Sequence, residues 1–150
     1  MNTQTPLQHA EAILEPWMAT AVYPRPNRLN IDIGADELLP MVRTLVDAGW
    51  GYLAAITGLD PGVESGSLWV LYHFAEGSDV ITLKVIVHRN DATVPTIRHL
   101  ISLAGIYEQE LSEVLGVTIA GAVDHGRLFL PDDWPDGIYP LRKDFEMVSE

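Results

Sequence analysis

The sequence predicts an α+β fold: a mostly antiparallel sheet with helices on one face, plus an extended C-terminal tail. Three observations carry this. ADELLPMVRTLVDAG (35–49) repeats its apolar residues at helical spacing. LWVLYHF (68–74) and VITLKVIVH (80–88) are strand-like runs with a short connection between them, which makes an antiparallel hairpin. After Gly121 the periodicity stops, and PDDWPDGIYPLRKDF (131–145) gathers three prolines with tryptophan, tyrosine and phenylalanine.

In chain order, LQHAEAILEPWM (7–18) places Leu7, Ala10, Ile13, Leu14 and Trp17 on one helical face, and Pro16 disturbs its end. AVYPRPNRL (21–29) reads as a turn-rich connector, and LNIDI (29–33) as a short strand closed by Gly34. In the next helix Asp36 is a fair N-cap, Pro40 lies near the first turn, and Leu38, Leu39, Val42, Leu45 and Val46 form one face. YLAAITGLD (52–60) reads as a buried strand and PGVESGS (61–67) as a turn. Ile81, Leu83, Val85 and Val87 share one face of the strand that closes the meander.

Residues 90–117 are helical in pattern, with Pro95 at a helix start, a break at Gly105 and a cap at Gly116. VTIAG (117–121) is a last short strand. The expected division is a globular domain over 1–120 and a docking tail over 121–150. The tail is a poor helix and a poor central strand, because proline lacks a backbone donor. It is too apolar and aromatic for plain disorder. Either a partner or the chain's own domain must hold it.

Composition narrows the function. The chain has 150 residues, 47% hydrophobic and 20% charged, enough for one domain with a real core. It has no cysteine, so disulfides, thiolate metal sites and a cysteine nucleophile are excluded. The net charge is −12, and residues 105–150 hold ten acids against three bases. No basic face is available for nucleic acid. The N-terminus shows no secretory pattern. Trp50 to Leu59, the longest uncharged apolar stretch, is about half the roughly 20 residues that span a bilayer.

The sequence holds few marks of catalytic chemistry. His9, His73, His88, His99 and His125 show no metal spacing, although the meander can bring His73 near His88. No serine lies in a nucleophile motif, and no glycine-rich phosphate loop is present. Asp132, Asp133 and Asp136 lack the pattern of a calcium loop. No catalytic, cofactor or metal residue is assigned. In the tail, Trp134, Tyr139, Leu141 and Phe145 are interface-type anchors, and Arg142 suits a bidentate pair with a carboxylate.

Residues 106–145 resemble the signature end of the iron-sulfur protein 3-like subunit of NADH-quinone oxidoreductase, respiratory complex I. The family pattern runs W-x-E-R-E-x-x-D-x-F-G-I, G-H-P-D-L-R-R-I-L, P-x-D-W and P-L-R-K-D-[YF]. Here Glu108 and Glu110 match the two glutamates, and Leu115, Gly116 and Val117 stand for F-G-I. Glu113 stands where aspartate is usual. Gly121, Asp124 and Arg127 match parts of the middle motif. The last block is nearly intact in Pro131, Asp133, Trp134, Pro140, Leu141, Arg142, Lys143, Asp144 and Phe145. Asp60 stands where the family ends a strand with aspartate. The first two motifs are eroded, which also brings in the related small subunit of membrane-bound [NiFe] hydrogenases.

The resemblance implies a cofactor-free scaffold in a peripheral, quinone-proximal arm, held by other subunits on the cytoplasmic side of the membrane. Its expected partners are a hydrogenase-large-subunit-like subunit and iron-sulfur subunits, with no nucleic acid and no membrane span of its own. Arg142 and Lys143 are then expected to meet partner carboxylates, and Glu108 and Glu110 to pair with a cation, with Arg127 of the same chain as one candidate. A stand-alone small-molecule enzyme, or an adaptor whose tail wraps its own domain, are the readings from other classes.

Overall fold

A computed structural model describes residues 3–124 and 126–146. His125, noted in the sequence, lies outside the described residues. Thr5 starts helix α1 (Pro6–Ile13): its Oγ1 accepts from the Gln8 amide, and Gln8 Oε1 accepts from the Thr5 amide. Two donors at the helix start are thereby satisfied. A 3-10 turn (Glu15–Thr20) follows.

The stretch expected as a connector instead holds strand β1 (Val22–Arg25), antiparallel to β2 (Arg28–Ile33). Pro24 is tolerated because β1 is the outer strand of the sheet. Helix α2 (Ala35–Asp47) is capped two residues before the expected Asp36. Gly34 is its N-cap, and Glu37 Oε1 accepts from the Gly34 amide at 3.1 Å. Asp36 falls in the first turn, where negative charge suits the helix dipole. The buried stripe is Leu38, Met41, Val42 and Leu45.

Strands β3 (Tyr52–Leu59), β4 (Ser67–Glu76) and β5 (Asp79–His88) complete a five-stranded sheet in the order β1-β2-β5-β4-β3. All neighbours are antiparallel except β2 and β5. The sheet is therefore the mostly antiparallel one expected. β3, however, is an edge strand exposed on one side rather than a buried one.

Residues 90–103 depart from the helical reading. β-branched Thr93 and Val94 with Pro95 form strand β6 (Thr93–Pro95), parallel to β7 (Thr118–Ala120). Proline fits there because the pair is a two-stranded ribbon with open edges. Helix α3 (Ala104–Leu115) starts later than expected, and Gly105 lies in its first turn instead of breaking it. Gly116 ends it in the left-handed conformation, φ +78°.

The registers put Leu29 and Ile31, Ile81 and Leu83, Tyr72 and Phe74, and Leu53 and Ile56 on one face. Leu7 and Ala10 of α1, the α2 stripe, and Leu111 and Leu115 of α3 pack against that face. All three helices thus cover one side, as expected. α3 approaches β3 at Gly58, where an added Cβ would lie 2.4 Å from Leu115 Cδ2 and 2.5 Å from Leu111 Cδ1. A larger side chain must push the helix off the strand. Gly58→Val is expected to lower unfolding stability by about 1–3 kcal/mol in a denaturant titration.

Candidate docking site formed by the C-terminal tail

Among the described residues no helix or strand follows Ala120, yet the tail is held at four places, three on the domain and one within the tail itself. The first is Glu113 on α3. Its carboxylate accepts backbone N–H groups from Leu128, Phe129 and Leu130 at 3.0 to 3.2 Å, and the side-chain Nε2 of Gln109 at 2.9 Å. Burial pushes this carboxyl up, but the donors from Leu130, Leu128, Gln109 and Phe129 outweigh it and hold it low.

The second is Arg127. Its guanidinium donates to the carbonyls of Pro131, Asp132 and Trp134 and to Asp136 Oδ1 at 2.7 Å, closing a loop on itself. Trp134 Nε1 donates to the Ile138 carbonyl at 2.8 Å, and the Trp134 ring stacks on Phe145 with centroids 6.1 Å apart. Asp124 is a local turn residue that accepts from the Gly126 amide at 2.9 Å.

The third is the end of α3. Its last carbonyls have no partner within the helix and carry partial negative charge. The Leu141 amide donates to the Val114 carbonyl at 2.9 Å, and Arg142 Nε to the Leu115 carbonyl at 2.8 Å. A second Arg142 nitrogen lies 3.4 Å from the Gly116 carbonyl. The Tyr139 ring lies against Gly116, where a Cβ would sit 2.4 Å from Tyr139 Cε2, and Arg142 lies 4.8 Å over the same ring. Gly116 thus meets two demands, a left-handed backbone and room for an aromatic ring.

The fourth is the end of β3. Asp60, with its side chain 1% exposed, forms a two-pronged pair with Arg89, itself 7% exposed, at 2.5 and 2.7 Å. Asp60 also accepts the Gly62 amide at 2.9 Å and, across the chain, the Lys143 amide at 2.7 Å. Arg89 Nη2, which bonds Asp60 Oδ2, also donates to Asp144 Oδ1 at 2.9 Å. The Arg89 guanidinium holds the Asp60 carboxyl well below the usual carboxylate range, against the opposing effect of burial.

These contacts assign the sequence-derived residues. Arg142 meets helix carbonyls of its own chain rather than a carboxylate, because the end of α3 presents concentrated negative charge. Lys143 binds through its backbone. The expected pairing of Glu108 and Glu110 with Arg127 is not what forms, since Arg127 is taken up by Asp136 and three carbonyls of its own loop. Glu108 is buried and accepts from Thr96 Oγ1 at 2.7 Å and the Ile97 amide at 3.2 Å, pinning the turn after β6 to α3. Burial pushes its carboxyl up, opposed by the Thr96 and Ile97 donors. Glu110 and Asp133 are exposed, Pro131 serves through its carbonyl, and Pro140 is half-buried.

Arg89 had no distinguishing mark in the sequence. Glu113 was visible only as a motif position, and Asp60 only as a strand end. The meander does not bring His73 and His88 together: His73 lies opposite Thr82, and His88 opposite Ser67. His73 bonds Thr57 and Thr82. Among the described residues no group of three or more His, Asp or Glu side chains is placed to hold a metal ion.

The held tail exposes apolar side chains among its acids: Leu128 is 60% and Leu141 61% exposed, with Val123 and Phe129 also outward, while Asp132, Asp133 and Asp136 are exposed beside them. A groove of about 460 Å³ runs between α3 and the start of the tail, lined among others by Glu108, Ser112, Val123 and Leu128. No described helix is long and apolar enough to cross a membrane.

The sequence pattern of the family described as "Respiratory-chain NADH dehydrogenase, 30 Kd subunit" matches residues 31–150. The chain is 35% identical over 99 residues to an NADH-quinone oxidoreductase subunit of Chloroherpeton thalassium, covering 64% of this chain and 40% of that one. It is 37% identical over 116 residues to a membrane-bound hydrogenase subunit beta of Pyrococcus furiosus, covering 76% and 66%. It also matches formate hydrogenlyase subunit 5 of Escherichia coli, 32% identical over 79% of this chain but only 21% of that one. The chain therefore spans less than two thirds of the length of the Chloroherpeton and Escherichia relatives, and about two thirds of the Pyrococcus one. A solved structure of a membrane-bound sulfane sulfur reductase, an archaeal respiratory membrane complex, contains a chain of the same fold. Its TM-score is 0.79 at 26% identity, covering 95% of this chain and 86% of that one.

Asp60→Asn is expected to cost about 3–5 kcal/mol at pH 7, because it leaves Arg89 a buried charge short of its main partner. The stabilisation from Asp60 is fully present above the unfolded carboxyl pKa of about 4 and is lost as pH falls toward the depressed folded value. The gap between wild type and variant, read from denaturant midpoints, should therefore narrow below about pH 4.

Proposed function

The chain belongs to the respiratory-chain NADH dehydrogenase 30 kDa subunit family, and from that premise we propose that it is a non-catalytic scaffold subunit of a proton-translocating NADH:quinone oxidoreductase. It sits in the peripheral, quinone-proximal arm on the cytoplasmic side of the membrane, carries no cofactor, and is held there by other subunits. Its tail docks a hydrogenase-large-subunit-like neighbour and lies close to the iron-sulfur subunits. The observation that carries this reading is the two-sided tail. Its inner side is fixed by charged and backbone contacts to the domain, while its outer side presents Val123, Leu128, Phe129 and Leu141 to solvent. Apolar side chains on a braced, extended segment make a preorganised surface, which lowers the entropy cost of association.

A second reading has its own support. The hydrogenase subunit beta shares 37% identity, and the sulfane sulfur reductase chain matches 95% of this chain in fold. The equivalent small subunit of an energy-converting membrane-bound complex without an NADH module is the alternative.

The test is purification of the tagged chain from its native membranes with mass spectrometry of what accompanies it. NADH- and quinone-module subunits are the expected result. A nickel-site large subunit without an NADH module selects the alternative, and a lone chain contradicts both. The double variant Leu128→Ser, Leu141→Ser is expected to reduce co-purification at least about tenfold while its melting temperature stays within about 2 °C of wild type, since both side chains are mainly exposed.

A further inference from the structure

The two edges of the sheet are treated differently. β1 is four residues long, holds Pro24 and Arg25, and shifts register against β2. Shortness, proline, charge and irregular pairing are the usual means of keeping an edge from pairing with other chains. β3 is eight residues long, YLAAITGL, with no charged residue and no proline. It has one irregularity, at Ala54, whose carbonyl is taken by the Tyr107 hydroxyl at 3.1 Å.

The ladder shows which backbone groups of β3 are left over. The Arg89 amide donates to the Gly66 carbonyl, just beyond the pair Ser67 and His88. In an antiparallel ladder, mutually bonded pairs alternate with pairs that point away from each other. Leu68, Val70, Tyr72 and Phe74 therefore point their backbone groups toward β5, and Trp69, Leu71 and His73 toward β3. Opposite these, Leu59, Thr57 and Ala55 bond β4. The N–H and C=O groups of Ile56 and Gly58 point outward along the free edge.

We infer that the β3 edge, beyond the Ala54 bulge, is a strand-addition site for an extended segment of a partner subunit. The added segment bonds the Ile56 and Gly58 backbone groups. It is neutral or basic, because β3 itself is uncharged and the chain carries −12. A second copy is the poorer occupant, because two chains of that charge repel. This rests on the reading that the chain works inside an assembly. It concerns a different surface from the apolar side of the tail.

The test is amide hydrogen exchange of the peptide covering residues 52–59, measured in the isolated chain and in the assembly captured through the tagged chain. The inference expects fast exchange at Ile56 and Gly58 in the isolated chain and slowing by at least about tenfold in the assembly. Three results overturn it. If an assembly is captured and exchange at 52–59 is unchanged, the edge is not the site, while the scaffold reading stands. If the isolated chain already protects these amides in a concentration-dependent way, a second copy is the occupant. If only a lone chain is captured, both readings fall together.

Discussion

Asp60 and Arg89 lie at the ends of two strands and at the base of the tail. Each is almost wholly removed from water, and an unpaired charge in that position is strongly unfavourable. The pair meets this with several hydrogen bonds on each partner. Asp60 takes both guanidinium prongs and two backbone amides, and Arg89 reaches on to Asp144. One of those amides belongs to Lys143, 83 residues away in the chain. The electrostatic demand of a buried pair is thus met partly by the tail. Without the tail, the pair would be short of two partners, the Lys143 amide and Asp144.

The other attachments follow the same logic around α3. Glu113 collects three successive tail amides, which would otherwise lie against the domain without acceptors. Val114, Leu115 and Gly116 offer the orphan carbonyls of a helix end, which Leu141 and Arg142 satisfy. The tail needs no helix or strand of its own because α3 and the strand ends supply its hydrogen-bonding partners. Its prolines fall where a backbone donor is not required, and its aromatic rings pack on one another and on Gly116. What remains for an assembly is the set of exposed apolar side chains on the tail and the open edge of β3.

Much of the fold was legible in the sequence because one-sided burial writes itself as periodicity. The α2 stripe and the alternation in β5 are local patterns with local causes. The misreadings came where the cause was not local. VYPR looks like a connector because proline and arginine disfavour a central strand, and only its outermost position makes β1 a strand. Thr93–Pro95 looked like the start of a helix, but β7, two dozen residues later, supplies its partner. YLAAITGL looked buried because it carries no charge, whereas it forms an edge. For the site, the motif residues pointed to the right segment but not to the roles. Arg142 and Lys143 suggested pairing with carboxylates, and nothing in the sequence showed that a helix end and Asp60 already awaited them. Arg89 carried no signal, since its meaning depends on two aspartates distant in sequence.

The central claim is that the domain itself holds the tail in place, before any partner arrives. Amide exchange of the isolated, monomeric chain tests it most directly at Leu128, Phe129, Leu130, Leu141 and Lys143. Each of these amides has an acceptor on the domain. The account predicts exchange slowed by at least about tenfold relative to an unstructured peptide of the same sequence, with Lys143 losing its protection in Asp60→Asn. Exchange at unstructured rates in all five would show that the tail is held only by a partner and would contradict the account.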